Sequence, residues 1–553
     1  MSTRIRLRLP ENQQSITLDC REGESLLEAL LRHKLPYRAE CGGRGTCGKC
    51  RIRVLEGELR ISSWDRAFFR EEELKLGYRL SCKAYPEEDC LIELFAGFED
   101  RGYEIITAMS GKGHEAEAPS SPAKEEQITA TAGKHGQDLS IGIDLGTTTL
   151  AFALVDRTGR VIRTHASLNP QRVYGADVIS RIKASTEGRK EHLRELIRTE
   201  LKQGIRELLK PDGTEPEQIR QRKPEGKEPE QIRQRKPEGK EPELIGQIML
   251  AGNTTMIHLL MGYDCRGLGI YPFTPVNVNM VRQDTGELLS EAYSIPITIL
   301  PGVSAFVGGD ILAGLLACGF DKAEELCLFV DLGTNGEMAL GNRNKILVSS
   351  TAAGPAFEGG NLSCGVGSIP GAISHVMLAE GACSYETIGG KPAIGICGTG
   401  VIELVSELLR TGRMDESGLL AEPYFEQGFE LAGMSFLQKD IRELQMAKAA
   451  IRAGIEILAR RYGISYADIH KVYLAGGFGY KLDVAKAVHI GLFPPELAGR
   501  IEAVGNSALA GSIRCLTKEE DLAELERLRS VSQEIHLSNE GDFYESYIGA
   551  MSF

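Results

Sequence analysis

No stretch of about 18 uninterrupted apolar residues occurs in this 553-residue chain, so no segment reads as a transmembrane helix. An excess of basic residues is missing too. Lys and Arg number 64 against 77 Asp and Glu, a net charge of −13. Phosphate backbones are held by local cationic surface, so nucleic acid is not the expected partner. Met1 to Pro10 alternates Arg with apolar residues and lacks the apolar core of a secretory signal. Neither a Walker A pattern nor a Gly-x-Gly-x-x-Gly turn placed after a strand is found. Together these absences predict a cytoplasmic protein that works on neither membrane nor nucleic acid.

Cysteine, by contrast, is plentiful, at 13 residues. In a reducing compartment clustered thiols serve as ligands rather than disulfides. Scattered ones such as Cys265, Cys318 and Cys515 are expected to be small buried hydrophobes. One cluster stands out: Cys41-GGRGT-Cys47-GK-Cys50, completed by the distant Cys82. Thiolates are soft donors suited to iron in a sulfide-bridged cluster. The glycines at 42, 43, 45 and 48 let the loop turn and aim backbone N–H groups at the sulfurs. Structural zinc more often pairs two Cys-x-x-Cys knuckles, and only Cys47 and Cys50 make one here. The spacing x5, x2 and then 31 residues resembles the adrenodoxin-like branch of [2Fe–2S] ferredoxins. Cys41, Cys47, Cys50 and Cys82 are therefore the expected ligands of a [2Fe–2S] cluster, with zinc the alternative. Cys20 and Cys90 fall in predicted strands and are expected in the core.

The length suits two to four domains. Residues 1–98 predict a compact β-grasp unit: strands over Arg4 to Leu9 and Ser15 to Cys20, a helix over Glu24 to Leu31, a loop, and strands over Lys49 to Leu55 and Cys90 to Phe95. Residues 99–138 read as a flexible linker, since from Gly111 to Asp138 the composition turns to Ala, Ser, Pro, Lys, Glu and Gly. From 139 to 553 strands alternate with helical runs, an α/β pattern in two lobes of roughly 139–326 and 327–553. Within the first lobe, Glu215 to Lys227 is repeated without change as Glu228 to Lys240, and a third copy begins at Glu241. This polar, Pro- and Gly-punctuated stretch reads as a disordered insertion over 211–243 without a catalytic role.

The lobes begin alike. Ile143-Asp144-Leu145-Gly146-Thr147-Thr148-Thr149 closes one apolar strand, and Val330-Asp331-Leu332-Gly333-Thr334-Asn335-Gly336 closes another, 187 positions later. Each is followed by two further strands, which suggests duplication. A strand ending in Asp, then a Gly turn with hydroxyls, offers N–H and O–H donors to phosphate oxygens. The Asp holds Mg²⁺ through its water shell, as suits a cation that dehydrates reluctantly. Two such loops can grip ATP from both sides. The remaining parts follow in order: Gly252-Asn253-Thr254-Thr255-Met256 as a strand-to-helix turn, Ala475-Gly476-Gly477-Phe478-Gly479 as a glycine turn bordering adenosine, and Val504 to Gly511 as a helix whose small residues allow close interlobe packing. This order resembles the actin, Hsp70 and sugar kinase superfamily.

Further motifs narrow the resemblance: Asn169-Pro170-Gln171, the run from Tyr174 to Ile182 and the run from Ser304 to Asp310. With the cysteine set, they resemble the reductive activators of corrinoid-dependent enzymes. That resemblance implies an N-terminal [2Fe–2S] β-grasp ferredoxin (α+β) followed by a two-lobed α/β actin-like ATPase. It also implies an enzyme that returns Co(II) of a corrinoid protein to Co(I) for methyl transfer. The electron would come from a donor such as ferredoxin or flavodoxin, and a homodimer stays open. Asp144, Thr147, Thr148, Asp331, Thr334 and Asn335 would hold Mg-phosphate with Gly146, Gly333 and Asn253. Gly476, Gly477 and Phe478 would border adenosine, and Asp310 or Glu337 would orient the attacking water. The tether leaves no room for the extra middle domain of some relatives. Val366-Gly367 follows Ser363-Cys364-Gly365 where relatives often carry Met-Arg. The rivals are an activator of 2-hydroxyacyl-CoA dehydratases, whose bridging cluster would need Cys364 and Cys397, a redox-regulated small-molecule kinase of the same superfamily, and a non-catalytic interaction module.

Overall fold

The computed structural model describes residues 2–8, 15–33, 35, 37, 43, 45, 48–95, 139–210, 245–291, 294–379, 382–476 and 482–553. The expected linker beyond residue 98 and the tandem repeat lie outside the described residues. Among the described residues, no helix is long and apolar enough to cross a membrane.

The N-terminal unit is a five-stranded sheet. β1 (Ser2–Arg8) and β2 (Ser15–Arg21) pair antiparallel, as their alternation predicts. β3 (Arg51–Glu56), β4 (Tyr78–Leu80) and β5 (Cys90–Leu94) complete the order β2-β1-β5-β3-β4. The helix Leu26–Arg32 starts where Ser25 caps it, with Glu28 returning the bond to the Ser25 N–H. Leu26, Leu27 and Leu30 then turn inward onto Ile5, Leu7 and Ile92. Strand alternation alone missed β4 and two short helices, Ser63–Phe68 and Glu71–Lys75. They are too brief to show a period, and capping rather than apolar spacing defines them.

In the first lobe β6 (Leu139–Leu145), β7 (Thr149–Asp156) and β8 (Val161–Leu168) form an antiparallel meander, and β9 (Ile245–Gly252) joins β6 in parallel. β10 (Val281–Asp284) and β11 (Pro296–Ile299) extend the sheet. In the second lobe β12 (Cys327–Leu332), β13 (Gly336–Asn342) and β14 (Lys345–Thr351) repeat the meander. An accessory sheet of β15 (Ala372–Ala379), β16 (Ala382–Thr387) and β17 (Gly395–Ile396) follows, then a hairpin of β18 (Phe429–Leu431) and β19 (Met434–Phe436). β20 (Lys471–Ala475) lies parallel to β12, β21 (Ile501–Gly505) parallel to β20, and β22 (Ser532–Glu534) parallel to β14. The orders β11-β9-β6-β7-β8 and β21-β20-β12-β13-β14 are the same sheet built twice. The echoed loops thus sit at matching points of matching sheets, as duplication produces.

Strands buried on both faces read as continuous apolar runs, and Ile248 to Ala251 and Cys327 to Val330 are of this kind. They feed a shared core in which Met249 and Ala251 of the first sheet meet Phe329, Ala475 and Val504 of the second. Two helices, Gly309–Ala317 and Ser507–Thr517, pass through it. At their crossing Gly511 lies so close to Ala313 that a Cβ there would stand 2.0 Å from the Ala313 carbonyl oxygen. This is the close packing expected of the small residues after Val504. Overpacking of this kind costs about 1–3 kcal/mol. Gly511→Ala should therefore lower the urea midpoint of unfolding accordingly, and an unchanged midpoint would show that the helices do not cross at this residue.

Candidate functional site

The two echoed loops meet. β6 delivers Asp144 opposite Ala151 and Ala251, and β12 delivers Asp331 opposite Glu337 and Ala475. Each chain then turns tightly. The Gly146 N–H donates to the Thr149 carbonyl and the Gly333 N–H to the Asn335 carbonyl, both at 3.0 Å. These turns leave hydroxyls at the tips, and Thr148 Oγ1 lies 3.3 Å from Thr334 Oγ1 across the lobes. Both hydroxyls donate to one carboxylate, Glu358, at 2.6 Å from Thr334 and 3.4 Å from Thr148.

Asparagines brace this arrangement. Asn253, the N-cap of helix Thr254–Met261, donates to Thr147 Oγ1 at 2.8 Å. Asn506, the N-cap of helix Ser507–Thr517, donates to Asp144 Oδ2 at 2.9 Å and so links the end of β21 to the first lobe. Asn169 donates to the Gly146 carbonyl at 2.9 Å. Gly476 packs directly behind the second loop at φ +98°, where a Cβ would lie 2.4 Å from the Leu332 carbonyl oxygen. Gly477 and Phe478 lie outside the described residues.

Carboxylates crowd this seam. Burial first, and then neighbouring acids, push Asp331 up to about 7 and Asp310 up to about 8. Burial raises Asp144 to about 6 against the Asn506 bond, and Glu337 is held well above the ordinary range by burial, Asp310 and Asp331. Glu358 is also raised by burial, with the two threonines and Arg181 opposing. Such mutual repulsion fits a site made to receive a cation. Among the described residues no three acidic, His or Cys side chains gather closely enough to ligate a metal directly.

Two residues at this seam were missing from the expected set. Glu358 follows a Pro-Ala-Phe turn that carries no motif. Arg181 is fully buried, its Nε donating to the Gly175 carbonyl and its Nη1 to the Met256 sulfur, while Nη2 has no hydrogen-bond partner. Burial lowers it to about 9, partly offset by Asp177 and Glu358, so it stays cationic at neutral pH. An orphaned guanidinium N–H beside this cleft fits an anion such as phosphate. Arg181 ends the Asp177-Val178-Ile179-Ser180 run, which was the available signal.

Of the cluster set, Cys41 and Cys47 lie outside the described residues. Cys50 and Cys82 are buried, and the Ser81 N–H donates to the Cys50 carbonyl at 2.8 Å, tying the two segments together. Gly43, Gly45 and Gly48 all have positive φ, and a Cβ on Gly43 would lie 4.0 Å from the Cys82 Cβ. Left-handed glycines at these positions, with Gly43 beside Cys82, fit a chain that turns around a buried inorganic cluster. Cys20 and Cys90 differ in kind. Burial raises them to about 11 and about 12, so they stay protonated in the core. Cys265, Cys318 and Cys515 are buried too. Cys364, half-buried, is raised to about 12, and Cys397 donates to the Ile373 carbonyl at 3.3 Å, which offers no thiolate pair for a bridging cluster.

Protein purified without oxygen should carry about two irons per chain. Cys82→Ser should abolish its visible absorbance and Cys90→Ser should leave it; the reverse result would reassign the ligands. The seam predicts a pH dependence. The raised acids bind more protons folded than unfolded, so their stabilisation is complete below about pH 4. It is lost as pH rises through about 6 to about 8. Nucleotide-free protein should melt lower at pH 8 than at pH 6 by calorimetry, and Mg-ADP should shrink the difference. Identical shifts with and without Mg-ADP would place the acids away from the nucleotide.

Three family models match the chain: a 2Fe-2S iron-sulfur cluster binding domain over 9–87, the RACo middle region over 139–224 and 232–323, and the C-terminal domain of RACo, the ASKHA domain, over 325–553. The middle region covers the stretch read from sequence as the first lobe. The chain is 30% identical over 439 residues to the corrinoid activation enzyme RamQ of Eubacterium limosum, covering 74% of this chain and 69% of that one. It is 30% identical over 296 residues to the [Co(II) methylated amine-specific corrinoid protein] reductase of Methanosarcina barkeri, covering 48% and 54%. A solved reductive activator for corrinoid,iron-sulfur protein superposes with a TM-score of 0.67 at 28% identity over 100% of this chain and 98% of that one. With ferredoxin, first lobe and ASKHA lobe matched in one order, the chain belongs to the family of reductive activators of corrinoid-dependent enzymes.

Proposed function

We propose that this protein is an ATP-dependent reductase that returns Co(II) of a corrinoid protein to Co(I). The observation that carries the reading is the convergence of two hydroxyl-tipped loops on Glu358, in a chain that also begins with a ferredoxin domain. When bound by Cys41, Cys47, Cys50 and Cys82, a [2Fe–2S] cluster supplies one-electron transfer. The substrate is Co(II), which gains one electron, and the electron enters from a low-potential carrier such as ferredoxin or flavodoxin. For a one-electron couple each 59 mV uphill costs about tenfold in equilibrium, so a source of free energy is needed.

The ATPase residues supply it. Thr147, Thr148 and Thr334 present hydroxyls to phosphate oxygens, helped by the Gly146 and Gly333 turns. Asp144 and Asp331 would hold Mg²⁺ from opposite lobes, and the cation would supply charge neutralisation to the phosphates. Arg181 stands behind with a free N–H. Asp310 and Glu337 orient the attacking water, Asp310 from the first turn of its helix and Glu337 from the position facing Asp331. Gly476, Gly477 and Phe478 border adenosine. ATP in this seam favours one lobe arrangement over another, and that differential affinity drives the transfer.

Asp331→Ala should lower ATP hydrolysis by about 10²-fold or more, since catalysis of this kind is electrostatic and positional. The cluster should remain reducible by dithionite, and the nucleotide-free variant should melt higher at pH 8, because one repelling charge is gone. Reduction of a corrinoid partner, followed by cobalt absorbance, should stop. Wild-type cobalt reduction by Asp331→Ala would separate the ATPase from electron transfer.

A further inference from the structure

The ferredoxin domain touches the second lobe beside the echoed loops through Lys49 and faces the first. Lys49, the residue before the ligand Cys50, donates through Nζ to the carbonyl of Leu362 at 3.1 Å and of Gly365 at 3.4 Å. The Lys49 charge is felt by the Cys364 thiol between them. On the other side Glu28 of helix Leu26–Arg32 lies near Tyr174 of the first lobe, whose phenol is raised by burial and further by Glu28, against Arg189.

The acceptors of Lys49 belong to the loop that leaves Glu358. The turn Pro355–Glu358 is closed by the Gly359 N–H to the Ala356 carbonyl and the Gly360 N–H to the Pro355 carbonyl. The loop then doubles back on itself. A Cβ on Gly365 would stand 2.0 Å from the Gly359 carbonyl oxygen, and one on Gly359 2.1 Å from that of Val366. Movement at Gly359 is therefore passed to Gly365 by direct contact. Between them, Ser363 is pinned by its N–H and hydroxyl to Asp440 at 2.8 and 3.0 Å, which supplies a pivot. Because Lys49 is held by backbone carbonyls, its grip reports the shape of the loop rather than the charge of its side chains.

We propose that loop 359–365 is a nucleotide-controlled dock for the ferredoxin domain, with Lys49 as its latch. This rests on nucleotide binding at the two phosphate loops. While Glu358 holds Thr148 and Thr334 the latch is closed. Phosphate oxygens claim the same hydroxyls and repel the Glu358 carboxylate, so Glu358 withdraws, the two carbonyls part and Lys49 is released. The face beside Cys50 is then exposed to a protein partner. Docking and reduction of that partner thus alternate, because both use this face.

Hydrogen exchange of the full, cluster-loaded chain tests this without any corrinoid protein. In the wild type, adding Mg-AMPPNP should raise exchange at residues 48–56 and 359–366 by about fivefold or more. Lys49→Met should show the raised exchange at 48–56 already without nucleotide, and Mg-AMPPNP should add nothing there. Lys49→Arg should restore the wild-type pattern. The reduced-cluster EPR spectrum should stay the same in both variants, and ATP hydrolysis should stay within about twofold. Protection at residues 144–149 by Mg-AMPPNP reports nucleotide binding independently. If that protection appears while 48–56 and 359–366 stay unchanged, the dock is overturned and the ATPase reading stands. Equal exchange in wild type and Lys49→Met would also overturn it.

Discussion

Burial of carboxylates, sharpened by repulsion among some of them, is the constraint on which this molecule turns. Asp144, Asp310, Asp331, Glu337 and Glu358 are gathered at one seam, and each is pushed toward its protonated form. An apolar core would not tolerate such a set, whereas a cleft open to a ligand can. The shared core beneath, where Met249 and Ala251 meet Phe329 and Ala475, keeps the acids close although they repel. The apolar contacts fix the geometry, and the charges make it conditional on a ligand.

The two echoed loops, which the structure brings together, could be read from sequence because their pattern is local. Asp, Gly and hydroxyl residues within a few positions of a strand end announce a phosphate turn wherever the strands lie. The repeated strand order was legible for the same reason, since each loop is followed by the same short meander. Glu358 was not legible. Its partner Thr148 is 210 positions away, and no spacing encodes a carboxylate that closes across two lobes. Arg181 was visible only as part of a motif, because its role depends on being buried beside Met256 and Gly175. The helices Ser63–Phe68 and Glu71–Lys75 escaped because one or two turns carry no measurable period.

Cysteine chemistry divided along the same line. Clustering singled out Cys50 and Cys82, and the bond from the Ser81 N–H to the Cys50 carbonyl explains how a residue 32 positions away reaches the loop. Cys20 and Cys90 were separable from sequence by their place in strands, where burial holds their thiols protonated. A thiol that stays protonated is a poor ligand.

The crossing of Gly511 on Ala313 has a mechanical consequence. Two helices in backbone contact cannot translate past one another without opening a gap, but they can rotate about the point of contact. Asn506, at the start of one of them, reaches Asp144, so the axis of such a rotation passes close to the acidic seam. Displacement grows with distance from an axis. Atoms around the seam therefore shift little, while the outer rims of the lobes sweep much further. The lobes thus act as levers, amplifying small changes at the seam for whatever rests across their mouth.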